Sequence, residues 1–480
     1  DKLCELVAEA DDALMEKYLE GERLTQEELE TLLDRAIAQS IFIPVFVGSA
    51  ATLQGVEDLM DDIVSFFPEP TAHGPLATTS GQEVHISTGG DVAVHVFKTL
   101  SDPYVGRINF VKVVSGTLRP GIELVNSRTG KKERVAHVFR MTGKETADIE
   151  AAPAGDIAVL TKLADTLTND TLSAHGDVAF APLPVPEPLY PVAIVAKTKA
   201  DEDKLGTALK TIVEEDPSLT MRRDEETHQT VITALGEAAI DVLLARLRER
   251  FHVEAELVEL RIPYRETIRK SAQAQGRHKK QTGGSGQFAD CWLRVEPNHG
   301  AGYEFLDEIV GGRISKPFIV AIDKGVQDTM TTGAIAGYRV VDVRVAVYDG
   351  SMHSVDSNEM AFKTAARIGF RAAVEKADPV ILEPLATLTI EVPDEHAGAV
   401  MGDISSLRGR ILGMDSAEAG IQTIRAQAPY AEVVHYSPHL RSITSGTGTY
   451  TISIETYEQV PGDVQKKLVD AFQKERAEGH

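Results

Sequence analysis

The sequence predicts a multidomain α+β protein: a β-barrel followed by two ferredoxin-like βαββαβ domains flanking an α/β domain, with the edge of another α/β domain at the N-terminal end. Three observations predict it. Short alternating strands with turn signals between them fill residues 92–172. The order strand, helix, strand, strand, helix, strand occurs twice, at 192–260 and 385–455. Between the copies, an alternating strand runs into a loop and then a helix with one apolar face. With 480 residues, 42% of them hydrophobic, there is material for roughly three to five cores.

The chain opens on Asp1 and an acidic helical pattern, which reads as the interior of a longer protein. Residues 41–47 read as an apolar buried strand, Gly48-Ser49-Ala50 as a tight exit, and 56–67 as an amphipathic helix stopped by Pro68. Such a unit is the usual edge of an α/β nucleotide fold. A Gly/Thr/Ser-rich stretch at 71–90 reads as linker. Ser115-Gly116, Arg119-Pro120-Gly121, Arg128-Thr129-Gly130 and Ala154-Gly155-Asp156 mark turns, a spacing that favours a closed antiparallel barrel. Pro182, Pro184, Pro186 and Pro188 stiffen a second connector. In the first βαββαβ copy the inner strands flank Asp224-Glu225-Glu226; in the second they surround Gly420, and a helical stretch follows near 431–439. The expected divisions are 1–70, linker 71–90, 91–175, linker 176–188, 189–262, 263–382 and 383–480.

The middle domain carries the most functional information. Val341, Val343, Val345 and Val347 alternate with Asp342 and Arg344 as a half-buried strand does. Asp349-Gly350 supplies a turn, and Asp356 or Ser357 caps a helix with Glu359 in its first turn. Phe362, Ala366, Phe370 and Ala373 form the apolar face of that helix. His353 lies outside both periodicities, either as a solvated loop residue or as a presented group. The net charge of −24 argues against bulk attraction to nucleic acid. Arg265, Arg269, Lys270, Arg277, His278, Lys279 and Lys280 nevertheless form one basic stretch, either a solvated face or a projection suited to phosphates. In the segment 279–288, Gly283, Gly284 and Gly286 allow close backbone approach to a phosphate-rich surface, and also suit a plain flexible hairpin.

Catalytic patterns are sparse. The sequence has no G-x-x-x-x-G-K-[ST] loop, no Asn-Lys-x-Asp and no Asp-x-x-Gly segment ahead of one, so GTP hydrolysis by these residues alone is not expected. Ser351, His353 and Asp356 could be drawn as a triad, but no nucleophile elbow carries a serine, and Gly283 to Gln287 misses that pattern at its last position. His435 and His439 have metal-ligand spacing, yet Pro438 separates them and the HExxH glutamate is missing; no metal site is expected. Cys4 and Cys291 fit a reducing cytoplasm, and no apolar run approaches the roughly eighteen residues of a membrane span.

DPYVGRINFVKVVSGTLRPG, NSRTGKKERV and AGDIAVLTKLADTLTNDTL resemble the second-domain barrel of translational GTPases. YRVVDVRVAVYDGSMHSVDSNEMAFKTAARIGFRAAV resembles the fourth domain of elongation factor G, and the domain order resembles that factor beyond its GTPase core over essentially all 480 residues. The resemblance implies that the N-terminal segment is the remnant of an α/β GTPase domain, with Gly48, Ser49 and Ala50 similar to its last guanine-contacting motif. It places His353 and the hairpin residues Lys279, Lys280, Gln281, Gly283, Gly284, Ser285, Gly286 and Gln287 at a tip that reaches the decoding centre. Arg408 and Arg410, at a helix-to-strand turn with Gly409 as its C′ residue, become candidates for rRNA contact, or simply complement the helix dipole.

The implied function is the ribosome-binding part of a translational GTPase that promotes tRNA–mRNA translocation. GTP and magnesium would belong to the full-length parent and none is expected on this chain. The implied partners are rRNA, tRNA and mRNA at the decoding site, for a cytoplasmic monomer with no membrane contact. Two departures bear on this. Translocating members commonly carry Arg where this chain has Ser285 and an aromatic residue where it has Met352. GGSGQ also occurs in elongation factor G-like paralogues, so a ribosome-protection or regulatory paralogue is the alternative, and a stand-alone RNA-binding module is the alternative of another class.

Overall fold

The computed structural model describes residues 16–17, 20, 25–38, 41, 43–72, 74–280, 286–416 and 420–478. The chain forms two compact units, Asp1–Pro184 and Val185–His480. In the first, helix α1 (Gln26–Ala38) opens with a capping box. Thr25 Oγ1 accepts the Glu28 N–H at 3.2 Å, and Glu28 Oε2 accepts the Thr25 N–H at 2.8 Å. The expected buried strand at 41–47 is not formed: among the described residues it has no sheet neighbour, and Ile43, Val45 and Val47 are 77%, 85% and 91% exposed. The turn after it is present, closed by the Ser49 N–H on the Gln54 carbonyl at 2.9 Å. Helix α2 (Val56–Phe66) buries none of its residues.

The barrel strands are β1 (Ala93–Asp102), β2 (Gly106–Ser115), β3 (Glu123–Asn126), β4 (Lys132–Arg134), β5 (Phe139–Thr142), β6 (Glu145–Asp148), β7 (Ile157–Thr161) and β8 (Thr171–Ser173). Their antiparallel ladder runs β4-β3-β8-β1-β2-β7-β5-β6, with a seam between the two end strands where the turn spacing predicts a closed ring. Alternate residues of these strands, Val94, Val96, Val111, Val113, Leu124 and Leu160 among them, meet in one core. Residues 71–90 are not a bare linker. Leu76–Ala77 pairs with Glu83–Val84, and Ile86 packs with Phe180, Ala93 and Val114, so the small polar residues there serve turns of a packed hairpin.

In the second unit, β9 (Tyr190–Ala196), α3 (Glu202–Glu215), β10 (Thr220–Arg223), β11 (Thr230–Ala234), α4 (Glu237–Phe251) and β12 (Ala255–Val258) form an antiparallel sheet of order β10-β11-β9-β12. That is the expected βαββαβ plan. The middle domain has β13 (Arg265–Ile268), β14 (Ala272–Lys280), β15 (Gln287–Pro297), β16 (Glu304–Asp307), α5 (Lys316–Thr332), β17 (Arg339–Val340), β18 (Val343–Ser351) and α6 (Glu359–Lys376). Its main sheet runs β14-β15-β18-β16, and α5 and α6 bury one face through Cys291, Leu293, Val295, Val345, Phe362 and Phe370.

The second βαββαβ copy follows: β19 (Pro379–Pro393), α7 (Asp394–Ser406), β20 (Arg410–Ser416), β21 (Ile421–Pro429), α8 (Tyr430–Val433), α9 (Tyr436–Ile443) and β22 (Thr449–Gln459). Its strand order is β20-β21-β19-β22, the same plan. Strand β19 belongs to two domains, since its first residues pair with β13 and the rest with β21 and β22. A last helix, α10 (Gly462–Glu478), packs Val464, Leu468 and Val469 against Ala336, Tyr338 and Ile381.

Two local readings of the middle domain are corrected. Asp349-Gly350 is not a turn but part of β18, opposite Trp292 and Cys291. Glycine is needed there because a Cβ would land on the Asp290 carbonyl oxygen and within 2.6 Å of Ile314 Cδ1. The cap of α6 is neither Asp356 nor Ser357 but Asn358, whose Oδ1 accepts the Ala361 N–H at 2.8 Å.

Candidate nucleic-acid interface

Strand β14 runs up to Lys280 and β15 returns from Gln287, with Lys279 opposite Phe288 and Lys280 opposite Gln287. Gln281, Gly283, Gly284 and Ser285 lie outside the described residues. The returning arm is bolted to the histidine loop. The Phe288 N–H donates to the Asp356 carbonyl at 2.9 Å, and Ser357 Oγ donates to the Phe288 carbonyl at 2.8 Å. Gly286 packs so closely that a Cβ would lie 2.8 Å from the Asp356 carboxylate. The hairpin and the His353 loop therefore share one end of the domain, though about seventy residues separate them in sequence. Nothing in the sequence reading singles out Phe288, Asp356 and Ser357 as the joints. Gly286 is the available signal; it reads as freedom and in fact marks a contact.

His353 is held by its backbone and presents its ring. Its N–H donates to Ser357 Oγ at 2.8 Å, while Nδ1 accepts from the Asp356 N–H at 3.2 Å and the Val355 N–H at 3.4 Å. An accepting Nδ1 leaves the proton on Nε2, which no described residue engages. The side chain is 55% exposed and meets Phe288 edge-on, with ring centroids 6.5 Å apart. Ser351 Oγ donates to Asp290, not to the imidazole, so no triad is assembled.

The basic stretch divides by partner. Arg265 is paired to Glu226 at 2.7 Å and lies over the Tyr457 ring at 4.0 Å; Arg269 and Lys270 both hold Asp378. Arg277, Lys279 and Lys280 have no carboxylate partner among the described residues, and all three are exposed. Uncompensated charge thus gathers at the hairpin end. Its opposite pole is Glu266, fully buried, whose carboxylate accepts the N–H groups of Ala334, Ile335, Ala336 and Tyr338 at 2.7, 3.0, 2.8 and 3.1 Å. Burial pushes its carboxyl up while those four donors pull it down.

The two candidate arginines of the last domain differ. Arg408, not Gly409, is the left-handed residue after α7, with φ +56°, and the Gly409 N–H closes the turn on the Ile404 carbonyl at 2.9 Å. Its guanidinium grips buried Glu383 at 2.8 and 2.9 Å and Glu432 at 3.0 Å. Arg410 is exposed and reaches Gln427 and Glu458. His435 packs on the Tyr190 ring while His439 Nε2 meets Asp403 at 2.7 Å, so the two histidines do not converge. Among the described residues no cluster is placed to hold a metal, and no helix is long and apolar enough to cross a membrane.

Comparison with known proteins follows the same domain order. Family models match in sequence: elongation factor G domain 2 over residues 91–175, domain III over 185–259, domain IV over 260–378, and the elongation factor G C-terminus over 380–468. The chain belongs to the elongation factor G family. A crystal structure of a Thermus thermophilus protein is similar to it with a TM-score of 0.69 and 35% identity, over 98% of this chain and 69% of that one. Elongation factor G domains mark a translational GTPase-type elongation factor, which works with the ribosome in protein synthesis. The described part of the hairpin and the His353 loop both fall within its domain IV.

Proposed function

We propose that this chain is the ribosome-contacting part of a factor that promotes tRNA–mRNA translocation, with GTP hydrolysis supplied by an α/β domain of which residues 41–67 are the edge. The observation that carries it is the joined hairpin and histidine loop, where Arg277, Lys279 and Lys280 lack carboxylate partners among the described residues and His353 turns its ring outward. An acidic body repels RNA in general, so only this end is suited to enter among phosphates. There it would occupy the decoding site beside tRNA and mRNA and block their return. That work is steric and electrostatic and moves no proton. The exposed apolar residues of 43–47 and α2, Val47 and Val64 among them, support the α/β edge, because such faces are made to be covered. Gly48, Ser49 and Ala50 would sit at the guanine side of that domain, where GTP and magnesium belong. Of the last domain's arginines, Arg410 is the one offered to rRNA. A monomer is expected.

The test is His353→Ala in the full-length factor, read by single-turnover translocation and by ribosome-stimulated GTP hydrolysis. A lost hydrogen bond at an RNA contact, about 1–3 kcal/mol, slows movement by roughly one to two decades and leaves hydrolysis nearly unchanged. Equal losses in both, or no change in movement, would contradict it. Ser285 and Met352 favour a second reading, a ribosome-protection or regulatory paralogue. In that case the wild-type factor hydrolyses GTP on the ribosome without productive translocation.

A further inference from the structure

The main sheet of the middle domain is covered by helices on one face only. Along β15 the residues turned to α5 and α6, Ala289, Cys291, Leu293 and Val295, are fully buried, while Phe288, Asp290, Trp292, Arg294 and Glu296 alternate with them half-exposed on the other face. Arg277 and Lys279 flank Phe288 from β14, with the Arg277 guanidinium 6.0 Å from its ring centre. Where β15 pairs with β18, a bulge leaves Tyr348 without a partner between Val347 and Asp349. The bulge re-aims its side chain. The Tyr348 ring lies 6.4 Å from Trp292, and its hydroxyl donates to Gln273 Oε1 on β14 at 3.1 Å, so the ring lies across β15.

Charge divides this face. At one end Arg294 is compensated by Glu296 and Glu308, and Arg344 by Glu304 and Glu296. At the hairpin end Arg277 and Lys279 have no carboxylate partner among the described residues; Phe288 lies beside them, and Trp292 and Tyr348 follow along the sheet toward the compensated end. Phe288 and Trp292 are four residues apart on one strand, about 13 Å. Aromatic rings on an open sheet with cations along one flank are suited to stacking unpaired bases while the flank tracks the backbone. A duplex hides its bases and cannot use such rings.

We propose that this face is a binding platform for single-stranded RNA, with bases stacked on Phe288, Trp292 and Tyr348 and the phosphates directed to Arg277 and Lys279. Asp290 sets that orientation. Its carboxylate, which accepts from Gln275 Nε2 at 2.8 Å and Ser351 Oγ at 3.2 Å, repels phosphate from the centre of the sheet. Its remaining lone pairs suit an exocyclic base amine such as that of cytosine. The surface adjoins the tip, sharing Arg277, Lys279 and Phe288 with it, while Trp292 and Tyr348 lie outside the tip loops. It rests only on the reading that this domain works beside RNA.

Trp292 is the only tryptophan, so its fluorescence reports the platform directly. Oligocytidylate titrated into the full 480-residue chain should quench it saturably, and a duplex of equal length should not. Tyr348→Ala should weaken binding about five- to a hundredfold, and Arg277→Ala should weaken it and lower the salt dependence by about one counterion. Protection of Cys291 from alkylation, read by peptide mass, confirms that each variant keeps its sheet. No saturable quenching, equal quenching by duplex, or unaltered titrations in folded variants would overturn the platform. None of these outcomes depends on translocation, which tests the tip.

Discussion

The two ends of the middle domain handle charge in opposite ways. At the base, Glu266 is fully buried with four N–H groups on its oxygens, and Arg408 in the neighbouring domain grips a carboxylate that is 4% exposed. At the hairpin end Lys279, Lys280 and the His353 ring face solvent, and among the described residues no carboxylate compensates the lysines. Satisfied buried charges resist rearrangement, whereas solvated ones contribute little to stability and keep their field for a partner. The contrast is that of a stiff root and a free tip.

The largest effect should come from Glu266→Gln. A carboxamide keeps one accepting oxygen but turns its NH₂ toward two of the four N–H donors and leaves those two without an acceptor, at a cost of about 3 kcal/mol or more. Urea unfolding followed by Trp292 measures it, and a loss under about 1 kcal/mol would mean that the cup is not what fixes the root. Next is Arg408. Alanine strands Glu383 and should cost about 2 kcal/mol, reduced because the arginine is partly exposed. Glycine at 408 loses the same pair but relieves a left-handed residue, so it should be less harmful than alanine by about 1 kcal/mol. Equal losses would mean that the backbone at 408 stores no strain.

A buried histidine extends the contrast. His95 in the barrel is buried, its Nε2 finds no hydrogen-bond partner among the described residues, and burial lowers its pKa against a weaker pull from Asp170. The folded state then binds its proton less readily than the unfolded chain does. Stability is complete above the ordinary histidine value of about 6.5 and falls as pH drops through the lowered one. Acid titration of the barrel's melting should show this loss, and His95→Gln should reduce it. The smallest effects belong to the tip: Lys279→Ala and Lys280→Ala should each change stability by less than about 0.5 kcal/mol. Cys291, whose thiol burial pushes up to about 12 with Asp290 adding to the effect, should stay unalkylated in both.

Periodicity makes the two βαββαβ domains and the apolar face of α6 legible, because each alternation there is set by one buried side. What the sequence hides is pairwise contact. Gly350 reads as a turn but answers the Asp290 carbonyl, and Gly286 reads as flexible but answers Asp356. Gly409 reads as the left-handed helix stop, yet Arg408 takes that conformation while its guanidinium holds Glu383. The apolar run at 41–47 reads as buried because its pattern carries no information on whether a neighbour is there to cover it. The separation of unpaired from paired cations within 265–280 also depends on acids distant in sequence, Glu226 and Asp378.

The most direct test of a free, RNA-facing tip is photo-crosslinking on the ribosome. A photoreactive side chain is placed at position 279 of the full-length factor, and a second variant carries it at position 266. Crosslinks from 279 to small-subunit rRNA, mRNA or tRNA at the decoding site are expected, and none to RNA from 266. RNA crosslinks from 266, or none from 279 on a ribosome shown to hold the factor, would contradict a free tip on a stiff root.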